Sequence, residues 1–194
     1  MNYYDFLSQP KFFHFLTEID KDLAEIARAC GCSRCGGKLD TSDFRRGGFG
    51  LPAEAGEGTL LRFSFCCRED GCRKRMTPDS LRFLYRKAYA AAVVVLLAVI
   101  TNGDDAKRAT ALARAVRVDR STLRRWRKWW REDVAASAYW LSRRGDLPPE
   151  LTSPLPQRLV EAFERRAAAR REALENLLAF VAPWRPQGAL FCGR

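Results

Sequence analysis

Histidine is nearly absent from this chain: His14 is the only one in 194 residues. It falls inside an amphipathic helical pattern and is expected to be an ordinary packed or surface residue. No His-Cys-acid set, phosphate-cradling glycine loop or pair of carboxylates is visible, so no enzyme is expected. Long hydrophobic runs are missing too. The longest, AYAAAVVVLLAVI at residues 88–100, has thirteen residues. That is too short to span a bilayer and reads as a buried core helix, so no membrane partner is expected. The start of the chain lacks the basic and apolar regions of a signal peptide. Seven cysteines, an odd number, in a chain without an export signal favour a reducing cytoplasm over disulfides. No repeat of twenty residues or longer is present.

What is present in excess is positive charge. The chain carries 34 Lys and Arg against 23 Asp and Glu, a formal charge of +11, and 27 of the basic residues are arginine. Such a balance points to a polyanionic partner, nucleic acid before membrane surface. With 47% apolar residues the chain can also build a core.

The expected fold is mainly α with a small β zinc ribbon. Ser8–Gln9–Pro10 opens a helix whose stripe is Phe12, Phe13, Leu16, Ile19, Leu23 and Ile26, ending near Cys30–Gly31. This gives an N-terminal helical segment over 1–30. A ribbon is expected over 31–77, with RRGGFGLPAEAGEG (45–58) as a loop or hairpin tip and TLLRFSFC (59–66) as a strand. Thr77–Pro78–Asp79–Ser80 predicts a helix start, and that helix is expected to run to about Thr101. A helix-turn-helix domain is assigned to 78–145, a proline-rich linker to 146–157, and a C-terminal helix and tail to 158–194. The last helix is expected over roughly 157–181. It is expected to dock on the core or on a second chain, the latter giving a homodimer.

The cysteines carry the most specific signal. Cys32 and Cys35 form a C-x-x-C followed by two glycines; 31 residues separate Cys35 from Cys67, and four residues separate Cys67 from Cys72. Two cysteine-bearing knuckles supply the four soft ligands of a tetrahedral ion, so Cys32, Cys35, Cys67 and Cys72 are read as holding one structural Zn. The glycines allow a tight turn and aim amide protons at the sulfurs. Cys66 competes with Cys67 for the third position, although strand alternation favours Cys67. Cys30 competes with Cys32, and is otherwise expected to be a small buried residue closing the first helix. A thioredoxin-like redox role lacks the βαβ context it needs. Four thiolates also leave no open position for catalysis.

The second signal is a basic helix pair. Residues 104–131 have the rhythm of a helix-turn-helix, with Val118 filling the angle and Asp119 capping the second helix. From residue 106 to 145 there are twelve Lys and Arg against three acids. Arg120, Ser121 and Thr122 are expected to face base edges, and Arg124, Arg125 and Lys128 to meet bases or phosphates. Trp126 and Trp130 are expected in the core, with Trp129 free to face solvent. Arg73, Lys74 and Arg75 are expected to add phosphate contacts.

The order of these motifs resembles a known group. A CxxCGG knuckle, then RFSFCCREDGCRKRMTPDSLRFLYRKAYAAAVVVL, then ATALARAVRVDRSTLRRWRKWW is similar to short bacterial zinc-ribbon/helix-turn-helix proteins associated with insertion-sequence transposases. The resemblance covers about residues 1–145. It implies double-stranded DNA as partner in the setting of a mobile element, with a transposase or another mobile-element protein as a further partner. It does not imply catalysis. An autonomous transcription regulator and a zinc-ribbon module for an acidic protein partner are the alternatives.

Overall fold

The computed structural model describes residues 9–47, 49–51, 53–84, 90, 118–151 and 155–183. Among them are five α-helices and two small antiparallel sheets.

Helix α1 spans Pro10–Cys30. Proline suits its first turn, where an amide would lack a partner anyway, and Gly31 ends it at φ 74°, with its N–H on Arg28 O at 3.1 Å. Phe12, Phe13 and Leu16 are buried as the stripe predicts, and Ile19 and Leu23 pack beside them. The stripe fails at its end, because Ile26 is 62% exposed. Ala24 and Ala27 turn inward there instead, onto the ribbon. Cys30 is exposed, not buried as expected, since the same rotation carries it outward. His14 bonds through Nε2 to Ala55 O at 2.7 Å, which makes it a structural contact.

The ribbon is built from five short strands: β1 (Leu39–Thr41), β2 (Phe44–Arg45), β3 (Leu61–Arg62), β4 (Phe65–Cys67) and β5 (Arg75–Met76). One sheet has the order β1-β4-β5, and β2 pairs with β3 in the other. The stretch read as one strand, 59–66, is therefore divided between a 3₁₀ turn (Glu57–Leu60) and two strands of different sheets. The division falls at Ser64, fully buried, whose N–H leaves the ladder to donate to Asp43 Oδ1 at 2.8 Å. Register is set by Leu39 opposite Cys67 and Phe65 opposite Met76. Beneath the sheet lies a small core of Ala24, Cys32, Leu39, Phe65 and Cys67.

The helix expected to open at Thr77 does not do so: residues 77–84 are non-helical. Asp20, wholly buried in α1, explains the departure. It accepts from Leu81 N at 2.6 Å, from the Ser80 hydroxyl and from Arg82 Nε at 2.8 Å. Ser80 Oγ in turn accepts from the amides of Arg82 and Phe83. Arg82, also fully buried, spends its other donors on the carbonyls of Thr59 (2.8 Å) and Leu61 (2.9 Å). A buried charge pair survives only with its hydrogen bonds satisfied, and this one ties α1, the 3₁₀ turn and residues 80–83 into one unit. Residues 85–89 and 91–117 lie outside the described residues. With them go the rest of that helix and the first helix of the expected helix-turn-helix.

Helix α2 spans Arg120–Trp129 and continues as a π turn over Trp130–Val134. Leu123, Trp126 and Trp130 are buried as expected. Trp129 is buried as well, at 6% exposure, with its ring centroid 4.9 Å from that of Trp130. Trp129 follows Trp126 by three residues and precedes Trp130 by one, the i, i+3, i+4 spacing of a single helical stripe, so it joins the edge of the same buried face. Helix α3 (Ala138–Arg143), capped by Ser137, is followed by a 3₁₀ turn over Arg144–Asp146.

The expected linker is no free tether, because Leu147 and Leu155 are buried in the helical core. The single last helix is two helices, α4 (Gln157–Glu164) and α5 (Arg170–Val181). Unbroken, it would hold Leu159 and Leu177 about 27 Å apart along its axis. Folded back at 165–169, both reach the same cluster as Trp126, Trp130 and Trp140. Glu172 helps by accepting from Ala168 N at 2.9 Å, which occupies an amide that a continuing helix would have used.

Candidate metal centre

The two knuckles converge from distant parts of the chain. Cys32 and Cys35 lie in the turn after α1; Cys67 ends β4 and Cys72 sits in the β4–β5 turn. Antiparallel pairing brings the turns together: Cys67 N donates to Lys74 O and Arg68 N to Lys38 O, both at 2.9 Å. The four Sγ atoms lie within 4.8 Å of one another, with Cys32 to Cys72 at 3.6 Å and Cys35 to Cys67 at 3.5 Å. A tetrahedral ion with metal–sulfur bonds near 2.3 Å requires sulfur–sulfur edges of about 3.8 Å. The sulfur set therefore fits a tetrahedrally coordinated ion, and all four cysteines are free thiols.

The backbone around the sulfurs is arranged for negative charge. Arg34 N donates to Cys32 Sγ at 3.4 Å, and the Cys35 amide joins it. These donors draw the Cys32 thiol down to about 6. The Glu69 amide approaches Cys67, but burial outweighs it and pushes that thiol up to about 12. Burial disfavours an uncompensated thiolate; a cation at the centre reverses the preference by offsetting the charge. Gly36 takes φ 72°, and its N–H bonds Cys32 O at 2.7 Å, which closes the turn. A Cβ on Gly37 would lie 2.6 Å from Glu69 Cγ and 3.3 Å from Cys35 Sγ, so a larger residue there would have to displace the Glu69 side chain of the second knuckle.

The competing cysteines lie elsewhere. Cys66 alternates away from Cys67 and sits half-buried, with its Sγ near Arg73 O at 3.6 Å. Cys30 is exposed at the end of α1. Strand alternation carried the Cys67 assignment, and no sequence signal marked the Glu69 amide or the Arg68–Asp40 pair (2.6 Å) that clips β1 to the second knuckle.

The residues expected to meet DNA are spread over two regions. Arg73, at φ 44°, Lys74 and Arg75 form the return of the second knuckle. Arg75 lies over the Phe44 ring, 5.4 Å from its centroid, and donates to Ser42 Oγ at 2.9 Å. Arg120 opens α2. Asp119 caps that helix, accepting from Thr122 N at 2.8 Å and from Ser121 Oγ at 2.6 Å. The Ser121 hydroxyl, followed by the Thr122 amide and hydroxyl, holds the Asp119 carboxyl well below the usual carboxylate range. Thr122 is not turned toward a partner as expected. It is 3% exposed, because its hydroxyl completes the cap on Asp119 Oδ2 at 3.0 Å. Arg125 Nη2 donates back to Thr122 Oγ1 at 2.8 Å. Arg124 and Lys128 are exposed, and Lys128 makes a loose pair with Glu132 at 3.7 Å.

No protein-family model matches the chain, and no curated protein or solved structure matches it either. Among the described residues, no helix is long and apolar enough to cross a membrane.

Proposed function

We propose that this chain is a non-catalytic DNA-binding protein in which the four cysteines hold one structural zinc ion and α2 meets duplex DNA. The observation that carries the reading is the two-sidedness of α2. Leu123, Trp126 and Trp129 anchor one side in the core, while Arg124, Arg125 and Lys128 stand exposed on the other. A helix fixed by large aromatic anchors presents its cations in a constant geometry, as phosphate contact requires.

Four soft thiolates in a tetrahedral arrangement suit zinc. Bound by all four, the ion supplies a cross-link between the knuckles and has no open position for a reaction. Since Ser121 and Arg125 are engaged with Asp119 and Thr122, phosphate contact outweighs base reading on this face. The helix-turn-helix assignment and the mobile-element setting rest on the order of sequence motifs, which is similar to that of transposase-associated zinc-ribbon proteins.

Fluorescence anisotropy on a labelled duplex across a salt series tests the reading. Binding should weaken with a slope of about −0.9 per phosphate contacted, and Arg124→Ala with Lys128→Ala should flatten it by about two contacts. No measurable duplex affinity at low salt would overturn the proposal.

A further inference from the structure

Away from α2, a second group of arginines is assembled by the tertiary fold. The 3₁₀ turn Arg144–Asp146 and the corner between α4 and α5 are distant in sequence, yet Arg166 Nη2 donates to Asp146 O at 3.1 Å. That contact sets Arg166, with Arg165 next to it in the chain, against the turn that holds Arg143 and Arg144, and all four are exposed. Arg143 is braced, with its guanidinium 5.4 Å from the Phe180 ring centroid and its Nε 3.2 Å from Asp146 Oδ2.

The acids nearby are already committed. Asp146 pairs with Arg143, Glu164 with Arg170 at 3.8 Å, and Glu161 with Arg158 at 2.6 Å. Glu172 accepts from the Ala168 amide, and Glu175 pairs with Arg171 at 2.6 Å. Glu150 is exposed on the neighbouring turn and pairs with none of these arginines among the described residues. Arg144 and Arg165 have no acidic partner among the described residues, and Arg166 is held by a carbonyl, which leaves its charge uncancelled. Like charges gathered at one exposed corner repel, and an external polyanion relieves the repulsion. Planar guanidinium forks match phosphate oxygens in a way that ammonium groups do not.

We infer that the Arg144, Arg165 and Arg166 corner is a second phosphate-contacting surface for duplex DNA, separate from α2. The inference rests on the DNA-binding reading above and extends it to a face that the helix-turn-helix pattern does not include. A protein with two such faces holds one bent duplex or two segments; either way the counterions released from the contacted phosphates are counted by salt dependence.

The test compares the full-length zinc-loaded protein with two double variants on the same labelled duplex. Arg144→Ala with Arg165→Ala removes two charges from the corner; Lys11→Ala with Lys21→Ala removes two exposed charges from α1 as a control. The corner variant should weaken binding several-fold and flatten the salt slope by about 1.8, two contacts at about 0.9 each, while the control keeps the wild-type slope. An unchanged slope in the corner variant, or an equal change in the control, would overturn the inference and leave the α2 reading intact. Wild-type protein that fails to bind duplex would remove both.

Discussion

The ribbon and the helical part of this chain solve the same problem with different means. Beneath the ribbon the buried cluster is Ala24, Cys32, Leu39, Phe65 and Cys67, and two of these five residues are thiols. Strands of two or three residues cannot stabilise themselves on so little apolar surface. The helical part draws on Trp126, Trp129, Trp130 and Trp140 with the leucines of α4 and α5. There large aromatic and aliphatic side chains supply the buried apolar area. On the proposed reading, order in the first region depends on the ion its four cysteines would hold, and order in the second on aromatic area. The buried Asp20–Arg82 pair is the physical link from the ribbon strands to α1, whose opposite end belongs to the large cluster.

The strongest way to break the comparison is Cys35→Ser. One lost thiolate should release the ion and unfold the ribbon, because metal binding is coupled to folding. Hydrogen exchange should show residues 31–76 losing protection while α2 to α5 keep theirs, and native mass spectrometry should show no zinc. A variant that retains one zinc ion and wild-type protection would remove Cys35 from the ligand set.

The link between the regions is the next target. Asp20→Ala strands the Arg82 guanidinium in a fully buried site, and removal of one partner from such a pair costs about 3–5 kcal/mol. Urea denaturation should lose that amount, with both regions affected. A loss confined to the ribbon would show that the pair does not couple the two.

The smallest effect separates α2 from the rest. The Asp119 carboxyl titrates below its unfolded value near 3.9, so its stabilisation is present above that pH and is lost as pH falls through the folded value. Asp119→Asn should lower Tm by a few degrees at neutral pH. The gap from wild type should hold down to about pH 5 and narrow below about pH 4. A gap that persists undiminished into strong acid would mean the cap acts through shape and not charge.

Local chemistry was legible from the residues alone. The C-x-x-C and its mate mark the candidate metal centre because ligand spacing is a property of the backbone turn. The α1 boundaries and the Asp119 cap likewise depend on a few adjacent residues. What was not legible involves choices between burial options of equal local merit. Trp129 reads as an outward residue, yet the helical core extends far enough around α2 to cover it beside Trp130. Thr77–Pro78–Asp79–Ser80 is a sound helix start, yet the Ser80 hydroxyl and Leu81 amide answer to Asp20, sixty residues earlier in the chain. The proline-rich stretch reads as a tether, and its Leu147 and Leu155 are core.

Composition and spacing by themselves determined that this chain is basic, that its cysteines fall in two clusters, each holding one pair of candidate ligands, and that one charged helix carries tryptophans on its apolar side. Those features need only residue type and near neighbours. Tertiary structure alone decided that the chosen cysteines converge to within 4.8 Å, that the last helix folds back on itself, and that Arg166 reaches the turn at Asp146. Each of these depends on a contact between residues far apart in the chain, and the free energy that selects it, burial or a satisfied charge, exists only once both partners are in place.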